Sequence, residues 1–420
     1  MRVSTRAGRW AVLVGILVGG SAATADELPS PLRLQDLLDR IRRQNPELTE
    51  RRALAKAAAA RPRAVSQLDD PTLSLEWWQQ PIDFATVPIM LSVRQSLPWP
   101  GKLRARNQAA QREADTARDA VSETERRLEA DAKRAFFDLA FTERSLVVND
   151  RERVLFEAMV QSTEVKYRVG KAPQAAMLKT QSELLTVENE RLDLDRARDE
   201  ARARLNALLD RPADAPLPAT AMPPSRVAMP GDADLVQLAL DHRPELRLAK
   251  DAVAEASAKL DLSRRDSNPE LAVWAGYMVN IRGVDTFTTG ISTTLPIFST
   301  RRRNASASAA EFELAAKKAA LDAARRKTEA DVRVALLQMQ AAERHARLHA
   351  NKLIPLAELT LQSAQAAYQN DRIDFYSVLD AARMVSDHHL NHERYLVEYE
   401  KRLADLELAI GQDLPREVSP

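Results

Sequence analysis

The stretch Asn45-Pro46-Glu47-Leu48 returns 198 residues later as Arg243-Pro244-Glu245-Leu246. The same shift relates Asp70-Pro71 to Asn268-Pro269, and Ser96-Leu97-Pro98 to Thr294-Leu295-Pro296. Further along the chain the shift becomes 201, which pairs Tyr167 with Tyr368 and Leu178 with Leu379. Repeated segments in a constant order predict an internally duplicated chain, in which each copy folds into the same set of elements.

Proline and turn residues set the boundaries of the two copies. The first repeat covers residues 26–210, the second covers residues 233–412, and residues 413–420 form a C-terminal tail. Between the repeats lies a linker, residues 211–232, whose six prolines cannot continue a helix. Each repeat is predicted to contain, in order, a helix, two strands, a long helix, a turn and a helix.

The first 25 residues have the pattern of a secretory signal peptide. Three arginines accompany an apolar segment at residues 10–20, and Ala23-Thr24-Ala25 is a cleavage site of small residues. A retained anchor is the alternative reading of this segment. We expect residues 1–25 to be a signal peptide and the mature chain to be exported.

The composition argues against several classes of function. The chain has no cysteine, which excludes disulfides and thiolate chemistry. Its formal net charge of +1 gives no indication of nucleic-acid binding. Neither a glycine-rich phosphate loop nor a Gly-x-Ser-x-Gly motif is present. We therefore expect a protein that is not an enzyme and that needs no cofactor.

Both repeats contain a long helix with the spacing of a coiled coil. In the first, at residues 103–169, the spacing falls mostly into steps of four and three. These seam positions are Ala110, Ala114, Ala117, Val121, Leu128, Ala132, Ala135 and Leu139. In the second repeat they are Ala309, Phe312, Ala316, Ala319, Ala323, Ala330, Val334, Leu337 and Ala341. A helix of this length extends about 100 Å, and Pro355 should kink or break the second one.

Two alternating hairpins, at about residues 71–97 and 269–297, supply the predicted strands. One apolar face and one small or polar face over about ten residues is typical of a membrane barrel strand. Hairpins that pack on the chain's own helices are the alternative. Four strands per chain cannot enclose an aqueous lumen, whereas three chains would supply twelve. Trp77, Trp78 and Trp99 are candidates for an aromatic belt.

The ordered set of a signal peptide and two such repeats resembles the TolC family of outer-membrane efflux proteins. The resemblance implies a mainly α fold with a small β part, made of a long α-helical coiled-coil barrel and a trimeric 12-strand β-barrel with four strands per chain. It implies a homotrimeric, passive duct in the outer membrane, with a large periplasmic part. Its partners would be a periplasmic adaptor (membrane fusion) protein, an inner-membrane pump and outer-membrane lipid. The strand exit Leu97-Pro98-Trp99-Pro100-Gly101-Lys102 is similar to that of the heavy-metal efflux subgroup.

The resemblance also implies an adaptor-binding site at the two helix-turn-helix tips. The candidate residues are Tyr167, Gly170, Lys171, Gln174 and Leu178 in the first repeat, and Tyr368, Asn370, Asp374 and Leu379 in the second. Neither tip has the complete family pattern, because Gln174 or Ala175 replaces an acid and Asn370 or Asp371 replaces a glycine. Asp371 and Asp374 are also candidates for a periplasmic gate. Plain loop closure is the alternative for both turns.

Two pairs of histidines have the i, i+4 spacing of zinc ligands. They are His345 with His349 and His388 with His392. No distant third ligand is apparent, so we interpret them as a polar surface patch and predict no metal site. Two alternative functions stay open at this point: a periplasmic coiled-coil scaffold, and a metal-handling protein without a membrane barrel.

Overall fold

The computed structural model describes residues 28–77, 89–223, 227, 229–266, 268–280, 283–294, 300–370 and 372–416. The predicted signal peptide and Trp78 lie outside these described residues. The remaining elements follow the duplicated, mainly helical order expected from the sequence, and this fold class is confirmed.

Each repeat begins with two short helices, continues with two strands and ends with long helices. The first repeat contains α1 (Leu34–Gln44), α2 (Pro46–Val65), β1 (Thr72–Trp77), β2 (Ile89–Leu97), α3 (Lys102–Arg168) and α4 (Gln174–Leu208). The second contains α5 (Asp232–His242), α6 (Pro244–Arg265), β3 (Leu271–Val279), β4 (Thr286–Thr293), α7 (Thr300–Leu348), a π-helical turn (His349–Leu353), α8 (Ile354–Gln369) and α9 (Phe375–Ile410).

The repeated Pro-Glu-Leu stretch starts a new helix in each copy, so the single first helix expected from the sequence is two helices. Asn45 has an extended backbone, and its side-chain oxygen accepts hydrogen bonds from the N–H groups of Glu47 (3.0 Å) and Leu48 (3.2 Å). Arg243 has the same backbone geometry but caps nothing with its side chain. Its guanidinium instead bonds Glu245 and Asp331, at 3.1 and 2.9 Å.

Pro355 does not break the second long helix. It lies at the second position of α8, directly after the π-helical turn at His349–Leu353. Proline has no N–H group and its ring collides with the preceding turn of a regular α-helix. A wider π turn relieves that collision, so the chain stays helical from α7 into α8.

The four strands form one antiparallel sheet in the order β1-β2-β3-β4. Its register aligns the alternating residues of all four strands, as in the row Leu75, Leu91, Tyr277 and Phe287. One side, named here the apolar face, carries Leu73, Leu75, Trp77, Ile89, Leu91, Val93, Val273, Ala275, Tyr277, Val279, Phe287 and Ile291 among its residues. The other side is mostly small or polar, with Ser74, Ser92, Gly276 and Thr288 in one row.

The apolar face is not covered by the chain's own helices. Trp77, Phe287 and Ile291 are 66, 69 and 76% exposed. Large apolar side chains gathered on one open surface mark a face that contacts another apolar phase. The alternative of hairpins packed on the chain's own helices is therefore not the arrangement in the structure.

The helical part has three buried clusters. One joins α1, α3 and α4 around Phe136 and Phe137, and a second joins α5, α7 and α9 around Leu336 and Leu403. The third lies beneath the helical turns at the end far from the sheet, around Phe156. Among the helices of the described residues, none has a stretch long and apolar enough to cross a membrane.

Candidate partner-binding site at the helical turns

The turn between α3 and α4 closes with a pair of backbone hydrogen bonds. The N–H of Gly170 donates to the carbonyl of Tyr167 at 2.9 Å, and the N–H of Lys171 donates to that of Lys166 at 2.8 Å. This pairing is the Schellman motif, which needs a left-handed residue after the helix end. Gly170 meets the need with a φ of +72°. An added Cβ there would meet no atom within 4 Å, so backbone conformation and not space requires the glycine.

The turn between α8 and α9 is built differently. Asn370 has a φ of −96°, so its backbone is not left-handed as that of Gly170 is, and Asp371 lies outside the described residues. The Asn370 side chain donates to the carbonyl of Ala366 at 2.8 Å. Asp374 caps α9, because its carboxylate accepts from the N–H of Ser377 at 3.0 Å and from its hydroxyl at 2.6 Å. These hydrogen bonds stabilise the charged form and lower the pKa of Asp374.

The two turns pack against each other and form one unit. Lys166 donates to the carbonyl of Tyr368 at 3.2 Å, and its ammonium lies 3.5 Å from the centre of the Tyr368 ring. That ring also makes an edge contact with Phe375, with ring centres 5.6 Å apart. Phe375, in turn, belongs to the buried cluster around Phe156. A cation–π contact of this kind holds the ends of both hairpins in a fixed relation.

The first turn supplies most of the exposed candidate residues. The structure leaves Tyr167, Gly170, Lys171, Gln174, Leu178, Asn370 and Asp374 exposed. Tyr368 is half-buried, and Leu379 is only 5% exposed within the cluster beneath the turns. Leu379 therefore stabilises the tip from inside, whereas its counterpart Leu178 lies on the surface.

Sequence reasoning missed three residues at this end of α3. Lys166 links the two turns, and Val165 and Val169 are exposed beside Tyr167. Two valines one helical turn apart, at a helix end rich in charge, are a signal that could have identified them. Together with Leu178 they give the tip an apolar character.

The four spaced histidines come together between α7, the π-helical turn and α9. The ring of His345 stacks on Tyr395 at 4.7 Å, and the ring of His349 lies 5.3 Å from that of His388. Burial first, and then the neighbouring histidines, lower the pKa of His349. His349 is 7% exposed, so its interpretation as part of a surface patch is wrong. Within the described ranges, no group of three or more ligand side chains is arranged to hold a metal ion.

Carboxylates from three helices meet some way above the turns. Glu152 of α3 faces Glu190 of α4 together with Ser386 and Asp387 of α9, and Arg383 lies nearby. Burial raises the pKa of Glu152 to about 7, and repulsion by Glu190 adds to the rise. Burial is also the main cause of the raised pKa of Glu190. No sequence pattern predicts this cluster, because its members are far apart in the chain.

Comparison with known proteins supports a channel fold. Residues 235–412 match the family described as outer membrane efflux protein. No curated protein sequence matches the chain. The structure of CusC aligns with a TM-score of 0.79 at 17% identity, covering 90% of this chain and 92% of that one. VceC from Vibrio cholerae aligns with a TM-score of 0.77 at 17% identity, covering 90% and 96%. The open state of MtrE from Neisseria gonorrhoeae gives 0.76 at 18% identity, covering 92% and 91%.

At such identities the structural alignments define the fold alone, which this chain shares with CusC, VceC and MtrE. The family match adds sequence evidence for the second repeat. The resemblance expected from the sequence is confirmed, and the sequence of the second repeat is similar to that of the outer membrane efflux protein family. Assignment to the heavy-metal subgroup stays a prediction.

Proposed function

We propose that this chain is one subunit of a passive homotrimeric duct, the outer-membrane component of a tripartite efflux system. The observation that carries the proposal is the apolar face of the sheet, left open at one end of a long helical rod. In a closed barrel of such sheets, every strand finds hydrogen-bond partners for its backbone N–H and C=O groups, while the apolar face is presented to lipid. Cargo would then cross a lumen formed by the other, more polar face.

The dimensions of the sheet suit a bilayer. The nine residues of β2 extend about 30 Å, close to the apolar band of about 25 Å on an outer-membrane barrel. Trp77, Tyr277 and Phe287 lie toward the loop end of the sheet, and Trp99 follows its other end. Aromatic residues at both limits are expected where the barrel meets the two membrane surfaces.

The edges of the sheet support a ring of several copies. In the described part of the chain, the outer edges of β1 and β4 have no neighbouring strand. Unpaired N–H and C=O groups cannot remain in a bilayer without partners. If β4 of one copy pairs with β1 of the next, the backbone groups at both edges gain hydrogen-bond partners. Three copies joined in this way close a twelve-stranded barrel.

The helices need neighbours in the same way. The seam predicted for α3 is mostly buried within the chain, for example at Ala114 and Leu128, while the seam predicted for α7 is exposed, with Phe312 at 77%. On α4, leucines spaced seven residues apart, Leu178, Leu185 and Leu192, are exposed as well. The exposed seam of α7 and the exposed leucines of α4 would bury each other if α7 and α8 of one copy packed against α4 of the next.

The helical turns are the part of this duct best placed to meet other proteins. The 67 residues of α3 span about 100 Å, so its turn lies far from the sheet. We place the adaptor at the exposed residues of the tip, chiefly Tyr167, Gly170 and Leu178, and the inner-membrane pump beyond it. Leu379 supports this surface from below.

Asp374 and Asp371 are proposed to ring the periplasmic entrance. Each would appear three times around the threefold axis, and rings of carboxylates attract cations. The lowered pKa of Asp374 keeps its charge at neutral pH. Its bond to the N–H of Ser377 holds the carboxylate at the start of α9.

Membrane fractionation tests the duct directly. The full-length chain, expressed with its first 25 residues, should remain in the outer-membrane fraction after detergent-free lysis and migrate as a trimer after mild solubilisation. A chain with Leu75, Leu91 and Phe287 changed to Asp should lose the membrane fraction, because charged residues on a lipid-facing strand are costly. Release of the unchanged chain as a soluble monomer would contradict the proposal and favour a periplasmic scaffold.

A further inference from the structure

Both long helices begin just beyond the sheet with clusters of cations. Lys102, Arg104 and Arg106 lie in the first five residues of α3. Arg301, Arg302 and Arg303 follow the first residue of α7. The first turn of neither helix contains an acidic residue.

This arrangement is unfavourable for the isolated helices. The N-terminus of a helix carries a partial positive charge and normally attracts acidic side chains. Lys102 is neutralised locally, since it is buried and lies 3.1 Å from Asp266 and 2.7 Å from Glu270. Arg104 and the arginine triplet at 301–303 make no ion pair within the described part of the chain. Positive charge at this level is therefore left uncompensated.

The depth of these cations matches a lipid headgroup layer. Residues 102–106 extend about 6 Å along the axis of α3, and a headgroup layer is about 5–8 Å thick on each side of a bilayer. Leu97, the last residue of β2, precedes Lys102 by five positions, and the exposed Trp99 lies between them. The cations consequently begin where the apolar face ends.

In the proposed ring of helices, the geometry of α7 places part of its positive charge on the outer surface of the ring. Successive residues of an α-helix point about 100° apart, so three consecutive arginines cover roughly 200° of the circumference of α7. No rotation of the helix can direct all three toward a lumen. The side chains are long enough to reach the membrane surface while their stems cover apolar atoms.

A cleft of about 670 Å³ adds the matching polar groups. It lies between the start of α7, the end of α6 and Lys102, and it is lined by Lys259, Arg302 and Arg303 together with the hydroxyl groups of Ser263 and Ser306. Asp266 and Glu270 also line it, but both are paired with Lys102. Guanidinium groups and hydroxyls are the usual ligands of phosphate.

We propose that a basic collar, formed by Arg104, Arg106, Arg301, Arg302 and Arg303, binds the phosphate headgroups of anionic phospholipids in the leaflet that faces the helical rod. The inference depends on the proposed function, because the sheet must lie in a bilayer. The collar fixes the depth of the barrel and compensates the charge that the chain leaves unpaired. Clustered arginines beside a membrane segment attract anionic lipid strongly enough for this role.

The test is native mass spectrometry of trimers released from bilayers of equal parts phosphatidylglycerol and phosphatidylcholine. The unchanged protein should retain phosphatidylglycerol several-fold over phosphatidylcholine. The triple variant Arg301→Gln, Arg302→Gln, Arg303→Gln should lose most of this preference. A second variant with lysine at the same three positions should keep it, which separates charge from a general loss of folding.

The chain offers a matched control on the same helix. Arg325, Arg326 and Lys327 are also three consecutive exposed cations, about 36 Å further from the sheet. Changing all three to Gln should leave the lipid preference unchanged. Equal loss in both triple variants, or no preference in the unchanged protein, would overturn the basic collar.

The other outcomes separate the basic collar from the duct. Trimers that enter the bilayer without lipid preference refute the collar alone, whereas a chain that fails to enter the bilayer refutes the duct. If the arginines line the lumen instead, the glutamine variant keeps its lipid preference and changes the cation-to-anion selectivity of single channels. That result would overturn the inference as well.

Discussion

The two repeats use nearly the same seam pattern in opposite ways. In the first repeat, the predicted positions on α3, such as Leu128 and Leu139, are buried against other helices of the chain. In the second repeat, the predicted positions on α7, such as Phe312 and Leu337, are exposed, and α7 buries Val332, Leu336 and Met339 on another side. In a duplicated chain, one seam can therefore be buried by helices of the same chain, while the equivalent seam of the other repeat stays free to pack against another chain.

The largest expected effect comes from placing a charge on the exposed seam. Phe312→Asp should abolish trimers while the monomer keeps its helical content, because the charge would be buried only after assembly. An unpaired buried charge costs about 3–5 kcal/mol, and each trimer would contain three. Size-exclusion chromatography with light scattering measures the assembly, and circular dichroism measures the fold.

Two variants complete that comparison. Lys318→Asp, at another exposed position of α7, should leave trimers intact. Leu128→Asp, on the buried seam of α3, should instead unfold the monomer. Trimers of normal stability in the Phe312 variant would show that this seam is not an interface.

The two turns provide a second comparison, with a smaller effect. Gly170→Val places a β-branched residue at a φ of +72° and should destabilise the first turn by about 1–2 kcal/mol. Asn370→Ala, in an ordinary backbone region, should lose only one hydrogen bond, about 0.5–1.5 kcal/mol. We expect the valine variant to form trimers but to impair export, measured as cargo retention in cells. Normal export would contradict adaptor binding at the first turn.

The smallest expected effect is a change in pH dependence at Glu152. The folded chain holds this proton more tightly than the unfolded chain, since the pKa is raised from 4.5 to about 7. Its contribution therefore lowers the free energy of unfolding as pH rises from about 4.5 to about 7. Glu152→Gln removes that loss and should stabilise the protein at pH 8 by on the order of 1 kcal/mol, as solvent screens a partly exposed group.

Thermal unfolding followed by circular dichroism at several pH values measures this difference. The Glu152→Gln and unchanged proteins should converge near pH 4, where the carboxyl group is protonated in both folded and unfolded chains. Glu188→Gln, at an exposed position of α4, should follow the unchanged protein throughout. A constant difference from pH 4 to pH 8 would indicate a packing effect and not a titration.

Local sequence patterns predicted most of the helices and strands of the fold. Heptad spacing predicts α3 and α7, alternation predicts the four strands, and Pro46 and Pro244 mark helix starts that the first-helix prediction did not use. The width of the turn before Pro355 was not predictable, because a kink, a break and a π turn are all responses to the same missing N–H group.

The candidate site was predicted less completely. Gly170 was identified correctly as a turn residue, since a left-handed backbone leaves a local mark in the sequence. The burial of Leu379 and the cation–π contact of Lys166 could not be predicted from the local sequence, because both depend on the opposite hairpin. The same reason explains why the burial of His349 was not expected from the sequence.

By itself, the sequence determined which segments are helices and strands, where the duplication lies and which strand residues share a face. These properties depend on spacing along a few residues, so periodicity alone specifies them. Only the tertiary structure decided that the seam of α3 is satisfied within the chain while that of α7 is not, and that carboxylates of three helices meet at Glu152. Such outcomes depend on packing between segments as far apart as Glu152 and Asp387, which are 235 residues apart in the chain. No local pattern encodes which distant segment packs against which.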